Sequence, residues 1–118
     1  MIGAKEVVMG FQAAMGNDDW KGAREHLADR IDFVGPFDSF SMPDDYLGAL
    51  QKLHHIVERV DLHHLFVDGD DVCLIYDLVT STPAGTALIA EWHHVSGGKI
   101  DRIRVIFDAR AFAAMFGR

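Results

Sequence analysis

The hydrophobic residues in the first part of the chain recur at helical spacing. In residues 4–15 they fall on one face, and Gly16-Asn17 then interrupts the pattern, which predicts a first helix. A second helix is predicted from Asp18 or Asp19 to just before Arg30, because its apolar residues recur every three or four positions. Two helices are therefore expected before residue 30.

A short strand and a third helix follow. Residues 31–34 are rich in β-forming residues and end at Gly35-Pro36, and residues 37–41 are predicted to form a loop. Ser41, with Asp44 three residues later and Pro43 in the first turn, marks the start of a helix. The apolar stripe of this helix consists of Leu47, Leu50, Leu53, His54 and Val57.

After residue 57 the hydrophobic period changes from helical to two. Residues 60–67, 72–82, 86–95 and 99–108 are β-rich runs separated by short turns, which predicts an antiparallel meander. Residues 109–116 are predicted to form a weak helix or a packed extension. No repeat, linker or low-complexity segment divides the chain, so residues 1–118 are expected to form one domain.

Three segments resemble the nuclear transport factor 2-like superfamily, specifically its SnoaL-like branch. They are Gly16-Asn17-Asp18-Asp19-Trp20, Asp32-Phe33-Val34-Gly35-Pro36 and the closing run Gly98-Lys99-Ile100-Asp101-Arg102-Ile103-Arg104-Val105-Ile106-Phe107-Asp108. The resemblance covers nearly the whole chain and implies a cone-shaped α+β fold, in which three N-terminal helices pack in the concave face of a strongly curved antiparallel sheet. This fold hosts isomerases, epoxide hydrolases, cyclases, binding domains and transport factors, so the fold alone does not assign a chemistry.

The resemblance implies a ligand cavity inside the cone, with Glu91 facing inward. The period of two then places His93 on the same face, with its Cα roughly 6 to 7 Å from that of Glu91. We consider these two residues a candidate acid/base pair, since burial raises the pKa of a carboxyl and imidazole exchanges protons near neutral pH. Alternatively, they satisfy each other in a structural polar spot. Asp38 is a third catalytic candidate at the cavity mouth, with a solvated loop aspartate as the alternative.

The rest of the cavity wall is expected to be apolar. The predicted ligand-binding residues are Phe11, Met15, Phe33, Phe37, Leu50, His54, Tyr76, Ile89, Val105 and Phe107. Tyr76 reaches the cavity only if Leu74 also faces inward, and the opposite parity, with Cys73 inward, remains open at this stage.

Two known activities of the family are not expected. Where steroid isomerases of this fold carry a general-base Asp and an oxyanion-hole Tyr, this chain has Gly35 and Phe11, although Glu91 matches their second acid. Val105 stands where limonene epoxide hydrolases carry an Asp. Our leading hypothesis is a pocket for a small hydrophobic ligand, with proton transfer of the isomerase, dehydratase or cyclase type if the protein is an enzyme. The alternative is a non-catalytic binding or dimerisation module of the same fold.

The seven histidines raise the question of a metal site. They include three adjacent doublets, His54-His55, His63-His64 and His93-His94. Neighbouring residues point to opposite faces of a strand, or about 100° apart on a helix, so no doublet easily chelates one ion. We therefore expect no metal and no cofactor.

Charge and composition narrow the choice of partners. The 118 residues are 49% hydrophobic and carry a net charge of −7, and the excess acid is confined to residues 31–71, largely at a helix start and turns. An acidic chain without a stripe of Arg and Lys argues against binding to nucleic acid or an anionic membrane. No segment has the pattern of a signal peptide or a membrane span, so we expect a cytoplasmic location.

The outer face of the predicted sheet has its own composition. Its outward residues include Trp92, Arg102, Arg104 and Ile106. An exposed Trp and Ile framed by arginines suits a self-complementary surface, and the resemblance implies dimerisation through this face. We predict a homodimer, with the arginines paired by Asp61, Asp77 or Asp101.

Overall fold

Two helices precede the first strand of one curved sheet, and a third helix lies between its second and third strands. The computed structural model describes residues 2–116, with side chains described as far as residue 114. The helices are α1 (Ala4–Gly16), α2 (Trp20–Glu25) and α3 (Pro43–His54). The strands are β1 (Leu27–Val34), β2 (Ser39–Phe40), β3 (Val57–Asp68), β4 (Asp71–Thr80), β5 (Thr86–Ser96) and β6 (Lys99–Ile106), and a 3₁₀ helix, Arg110–Phe116, follows them.

The six strands form one sheet in the order β2-β1-β6-β5-β4-β3. The pairings among β3, β4, β5 and β6 are antiparallel, as the meander predicts, whereas β1 joins β6 in parallel. Register shifts interrupt the pairing in β1, β3 and β5, and bulges of this kind bend a sheet and increase its twist. The α+β cone expected for this chain, with a strongly curved and unclosed sheet, is confirmed.

The hairpin between β5 and β6 shows how closely the turn chemistry follows the sequence. Ser96 pairs with Lys99, which leaves a two-residue loop of Gly97 and Gly98. Both glycines have positive φ, 60° and 77°, as a type I′ turn requires. Because this turn matches the twist of the flanking strands, it fixes the register that brings β6 beside β5.

The helices cover one face of the sheet. Along β5, every second side chain from Ala87 to Val95 is buried, and the residues between them are exposed or half-buried. Helix α1 packs on this face through Val7, Val8 and Phe11, which are fully buried. Each such apolar side chain contributes roughly 1.5 to 3 kcal/mol by leaving water. The concave face of the sheet therefore carries the hydrophobic core.

Three predictions near the helices are wrong. The third helix ends at His54, and Val57, which was expected in its apolar stripe, belongs to β3. The second helix ends at Glu25, and Leu27 already belongs to β1, because the His26 carbonyl accepts a hydrogen bond from the backbone N–H of Ile100 on β6. The spacing of Leu27 fits both a helix and a buried strand, and pairing with β6 decides the outcome.

Ser41 is not the N-cap of α3. The cap position is Met42, which makes no side-chain capping bond, and the helix starts at Pro43. The Ser41 carbonyl instead accepts a hydrogen bond from the N–H of Ile31. The predicted loop before it also contains the two-residue strand β2, which pairs with the end of β1.

Candidate functional site

A largely apolar cavity of about 170 Å³ lies between α3, the loop of residues 35–38 and the concave face of the sheet. Its wall contains nine of the predicted site residues, namely Phe33, Phe37, Asp38, Leu50, Tyr76, Ile89, Glu91, Val105 and Phe107. It also contains residues that the sequence did not single out, namely Gly35, Pro36, Phe40, Tyr46, Ala49, Leu53, Leu78, Ala87 and Phe112. The cavity wall therefore combines residues of α3, of five strands and of the 3₁₀ helix.

Glu91 is the buried polar centre of this wall. Its Oε1 accepts a hydrogen bond from the Tyr76 hydroxyl at 2.9 Å, and its Oε2 accepts one from Gln12 Nε2 at 2.9 Å. The ring of His93 contacts the same Oε2 through Nε2 at 2.7 Å. Glu91 is only 7% exposed, so three donors from α1, β4 and β5 converge on a carboxyl held almost out of water.

The pKa of Glu91 corrects an expectation. Burial raises the pKa of this carboxyl, as the sequence argument assumed, but the attraction of His93 and the hydrogen bonds from His93, Tyr76 and Gln12 together outweigh burial. The net effect lowers the pKa of Glu91 below its ordinary value. Glu91 is therefore a carboxylate at neutral pH rather than a buried neutral acid.

His93 lies behind Glu91 rather than in the cavity wall. It is fully buried, and its ring packs edge-on against Phe11 with centroids 6.2 Å apart. Nδ1 is buried without a hydrogen-bond partner among the described residues. Nε2 is the ring nitrogen that faces the carboxylate, and it donates to Glu91 Oε2. The pair shares a face as predicted, and the two side chains bond directly.

The strand parity that was open in the sequence is now settled. Val72, Leu74 and Tyr76 are buried, whereas Cys73 and Ile75 are half-buried on the other face. Tyr76 therefore points toward the cone interior, where burial and the neighbouring Glu91 charge raise the pKa of its hydroxyl well above the ordinary value. It stays protonated and donates to Glu91.

Three predicted ligand-binding residues lie elsewhere, and their placement is a correction. The side chain of His54 pairs with Asp18 at 3.0 Å and packs edge-on against Trp20, because it follows the last turn of α3 toward α2. Phe11 is fully buried in the core between Tyr46 and His93. Met15 packs partly buried against the same core.

Asp38 is exposed in the loop that borders the cavity. Its carbonyl accepts a hydrogen bond from the N–H of Gly35 at 2.9 Å, which closes the tight loop between β1 and β2. The loop also brings Phe37 against Phe107, with ring centroids 6.4 Å apart. Asp38 thus adds a second carboxylate to the cavity wall, on the exposed loop.

Tyr46 and Gln12 are two contact residues of the site that the sequence did not identify. Tyr46 is 2% exposed and packs on Phe33 with ring centroids 4.6 Å apart, and it shares helical spacing with Leu50 and Leu53, a signal that could have identified it. Gln12 is separated from Glu91 by 79 residues, and its position beside the apolar stripe of α1 gave no signal of the contact.

The outer face of the sheet has apolar residues side by side. Leu88, Trp92 and Ile106 are 62%, 42% and 64% exposed. Trp92 pairs across the sheet with Arg104 on one side and Cys73 on the other, so these side chains share the outer face.

The predicted acidic partners of the arginines are corrected. Arg104 donates to the Asp32 carboxylate at 2.9 Å, and Arg102 lies 3.7 Å from the same carboxylate. Asp32 was not considered because the sequence did not indicate that β1 joins β6. The three proposed carboxylates are occupied otherwise, in pairs Asp61 with Arg59, Asp77 with His63 and Asp101 with His94.

The described residues contain neither a candidate metal cluster nor a membrane-spanning helix. Within residues 2–116, no group of three or more His, Cys, Asp and Glu side chains could hold a metal ion. None of the helices in that range is long and apolar enough to cross a membrane.

An α+β cone with an apolar cavity around a buried carboxylate defines a recognisable class of protein. The sequence profile of the SnoaL-like domain matches residues 8–103. The chain therefore belongs to the SnoaL-like family of the NTF2-like superfamily. No protein with a curated description matches it.

Solved structures share this architecture. An NTF2-like protein of unknown function from Cytophaga hutchinsonii is 26% identical, with a TM-score of 0.82 over 95% of this chain and 96% of that one. TerC, co-crystallised with polyporic acid, is 16% identical, with a TM-score of 0.78 over 98% of both chains. A de novo designed protein with a curved β-sheet is 17% identical, with a TM-score of 0.80 over 97% of this chain and 93% of that one. At such low identity, the last two share only the fold.

Proposed function

We propose that this chain binds a small, largely apolar molecule in the cavity and orients it through one hydrogen bond to Glu91. The observation that carries this proposal is the buried carboxyl of Glu91 in the wall of a largely apolar cavity. Apolar pockets with a few converging polar groups are the usual form of small-molecule sites. The complex of TerC with polyporic acid supports a ligand-binding role for a chain of this fold.

The hydrogen bonds of Glu91 leave room for a ligand. A carboxylate offers about four acceptor positions, two on each oxygen. Oε2 accepts from Gln12 and meets His93, whereas Oε1 accepts from Tyr76. One acceptor position of Oε1 is thus available to a hydroxyl or amine of a molecule in the cavity. An engineered apolar cavity of 150 Å³ is known to hold benzene, so a cavity of about 170 Å³ suits one six-membered ring with a short substituent.

The binding test uses two ring compounds of similar size, toluene and benzyl alcohol, titrated while protein NMR spectra are recorded. We expect both to bind, and benzyl alcohol to bind more tightly because its hydroxyl reaches Glu91. Ala49→Leu, which fills the cavity from α3, should weaken both at least about tenfold. The matched change Ala13→Leu, exposed on α1, should leave both affinities unchanged. Failure of both compounds to bind near their solubility limits would overturn the proposal.

Proton transfer to Glu91 is a second candidate function. Of the three residues considered for catalysis, only Glu91 lines the cavity as a buried carboxylate, and it is ionised and ready to accept a proton. His93 acts through Glu91 and is a positioning residue. However, a general base works best with a pKa near the working pH, and the lowered pKa of Glu91 makes it a weak base. The lowered pKa of Glu91 therefore favours binding over proton transfer as the main function.

The proton-transfer candidate is tested by following exchange of the α-protons of cyclohexenone in D₂O by NMR. Faster exchange with the wild type than with Glu91→Gln supports it, because the amide cannot accept the proton. Equal rates with the two proteins would remove Glu91 as a base.

We also propose that the outer sheet face mediates a homodimer. Leu88, Trp92 and Ile106 form an exposed apolar surface, and the pairing of Phe66 with Cys73, and of Cys73 with Trp92, extends it across the sheet. Isolated exposed apolar residues are ordinary, but neighbouring ones on a flat face are typical of an interface. A two-fold contact would bury the same surface on both copies.

Light scattering after size-exclusion chromatography tests this at micromolar concentration. The wild type should have the mass of a dimer, and Ile106→Glu should be a monomer because it places a charge in the centre of the face. Leu62→Glu makes a comparable change at an exposed residue that shares the opposite face with Tyr76. That control should remain dimeric. A monomeric wild type would contradict the proposal.

A further inference from the structure

The charges around the cavity have one sign. Among the described residues of its wall, Glu91 and Asp38 are carboxylates, and none is Lys, Arg or His. Glu91 is buried within the wall, and Asp38 contributes to it from the exposed loop of residues 35–38. A molecule in the cavity therefore meets carboxylates and no basic side chain of the described wall. Such an arrangement attracts cations and repels anions, most strongly where water is excluded.

The carboxylate of Glu91 lines the cavity while it also accepts hydrogen bonds from its partners. Tyr76 and Gln12 are neutral donors, so they stabilise the carboxylate without cancelling its charge. His93 contributes Nε2 from behind the wall, so no basic side chain among the described wall residues stands between the carboxylate and the cavity.

Aromatic rings make up much of the remaining wall. They come from Phe33, Phe37, Phe40, Tyr46, Phe107 and Phe112. Several contact one another, with centroid distances of 4.6 Å for Phe33 and Tyr46 and 5.9 Å for Phe107 and Phe112. The face of an aromatic ring carries negative potential and attracts a cation within about 6 Å of its centroid. Aromatic rings beside a carboxylate are the usual surroundings of bound organic ammonium groups.

We propose that the cavity selects a small organic cation, an ammonium group on a single ring or a short hydrocarbon, over the matching alcohol and carboxylate. In the bound state the ammonium donates to Glu91 Oε1, and the hydrocarbon part packs among the aromatic rings. The proposal rests on the proposed binding function and specifies its ligand class.

Three probes of nearly equal size and shape test the inference, namely benzylammonium, benzyl alcohol and benzoate at pH 7. Titration calorimetry or NMR should show benzylammonium binding about tenfold more tightly than benzyl alcohol, since the ammonium adds the attraction between two opposite charges to the hydrogen bond that the hydroxyl also makes. Benzoate should not bind measurably. If benzyl alcohol binds and benzylammonium binds no more tightly, the charge inference is wrong while the binding function stands. If neither toluene nor any of the three probes binds, both proposals fail.

Variants identify the source of the selectivity through the ratio of the two affinities. Glu91→Gln keeps the shape and removes the charge, so the preference for benzylammonium over benzyl alcohol should fall to about one. Glu58→Gln makes the same change on an exposed face of β3 and should leave the ratio intact. Asp38→Asn, on the exposed loop, should reduce the ratio by a smaller factor, and it provides the test if Glu91→Gln does not fold. A ratio that survives both Glu91→Gln and Asp38→Asn would overturn the proposal.

Discussion

Two histidine–carboxylate contacts made by neighbouring histidines of β5 have the same length in opposite surroundings. On the concave face of β5, His93 lies 2.7 Å from Glu91, and on the outer face His94 lies 2.7 Å from Asp101. The side chains of the inner pair are 0% and 10% exposed, whereas those of the outer pair are 37% and 39% exposed. The two histidines are sequence neighbours, so the pleat of a single strand separates a buried pair from a solvated one.

The comparison shows that distance alone does not determine what an ion pair contributes. In an exposed pair, each side chain gives up hydrogen bonds with water in order to bond its partner. Such a pair therefore contributes only about 0 to 1 kcal/mol to the free energy of unfolding. In a buried pair, loss of one partner leaves the other without water or a replacement, which costs about 3 to 5 kcal/mol. The inner pair should therefore determine stability and ligand binding, and the outer pair should affect neither strongly.

The largest predicted effect is that of His93→Ala compared with His94→Ala. His93→Ala removes a donor from Glu91 and opens a cavity beside Phe11, so the free energy of unfolding should fall by about 3 to 5 kcal/mol. The same substitution at the neighbouring residue should cost less than about 1 kcal/mol. Urea denaturation followed by circular dichroism measures both. Similar losses in the two variants would show that the faces do not differ as described.

The next effect comes from removing one donor to the inner carboxylate. Tyr76→Phe deletes the hydroxyl bonded to Glu91 Oε1 and should cost about 2 kcal/mol, because the lost bond is buried and charge-assisted. On the outer face, Trp92 Nε1 donates to the half-buried Asp71 at 2.8 Å in a solvent-exposed hydrogen bond, and Asp71→Ala should cost well under that amount. Thermal unfolding compares them. An equal loss from Asp71→Ala would contradict the difference between the faces.

Acid should reveal the inner carboxylate. The folded-state pKa of Glu91 is lowered, so its stabilising contribution is complete above the ordinary Glu pKa of about 4.3 and is lost as the pH falls through the lower folded value. The difference in unfolding free energy between wild type and Glu91→Gln should shrink as the pH falls below about 4. Glu58→Gln serves as the exposed control. A difference that grows on acidification would mean that the pKa of Glu91 is raised instead.

The alternation along β5 was predictable, and the cluster on it was not. A period of two assigned Glu91 and His93 to one face and Trp92 to the other, because the pleat is a local property of a strand. The donors from Tyr76 and Gln12 depend on the register between β4 and β5 and on where α1 crosses the sheet. Neither the register nor the crossing position of α1 can be predicted from the spacing of residues within one segment.

The sign of the pKa shift shows the same limit. From the sequence, Glu91 was a carboxyl in apolar surroundings, for which burial predicts a raised pKa. Three donors reverse that sign, and two of them lie outside β5. Likewise, the partner of Arg104 could not be found without the parallel pairing of β1 with β6, which brings in Asp32 from 72 residues away. Long-range pairing, rather than residue type, decided both outcomes.

The smallest predicted effect belongs to the outer pair and has the opposite pH dependence. The hydrogen bond to Asp101 raises the pKa of His94, so its contribution is complete below the ordinary His pKa of about 6.5 and is lost as the pH rises through the raised folded value. In Asp101→Asn, NMR titration of the His94 ring should therefore show a pKa closer to the ordinary value. The stability of this variant should differ slightly from that of the wild type at pH 6 and not at all at pH 9. If His94 titrates identically in both proteins, solvent already screens the outer pair completely, and the contrast with the buried pair is larger still.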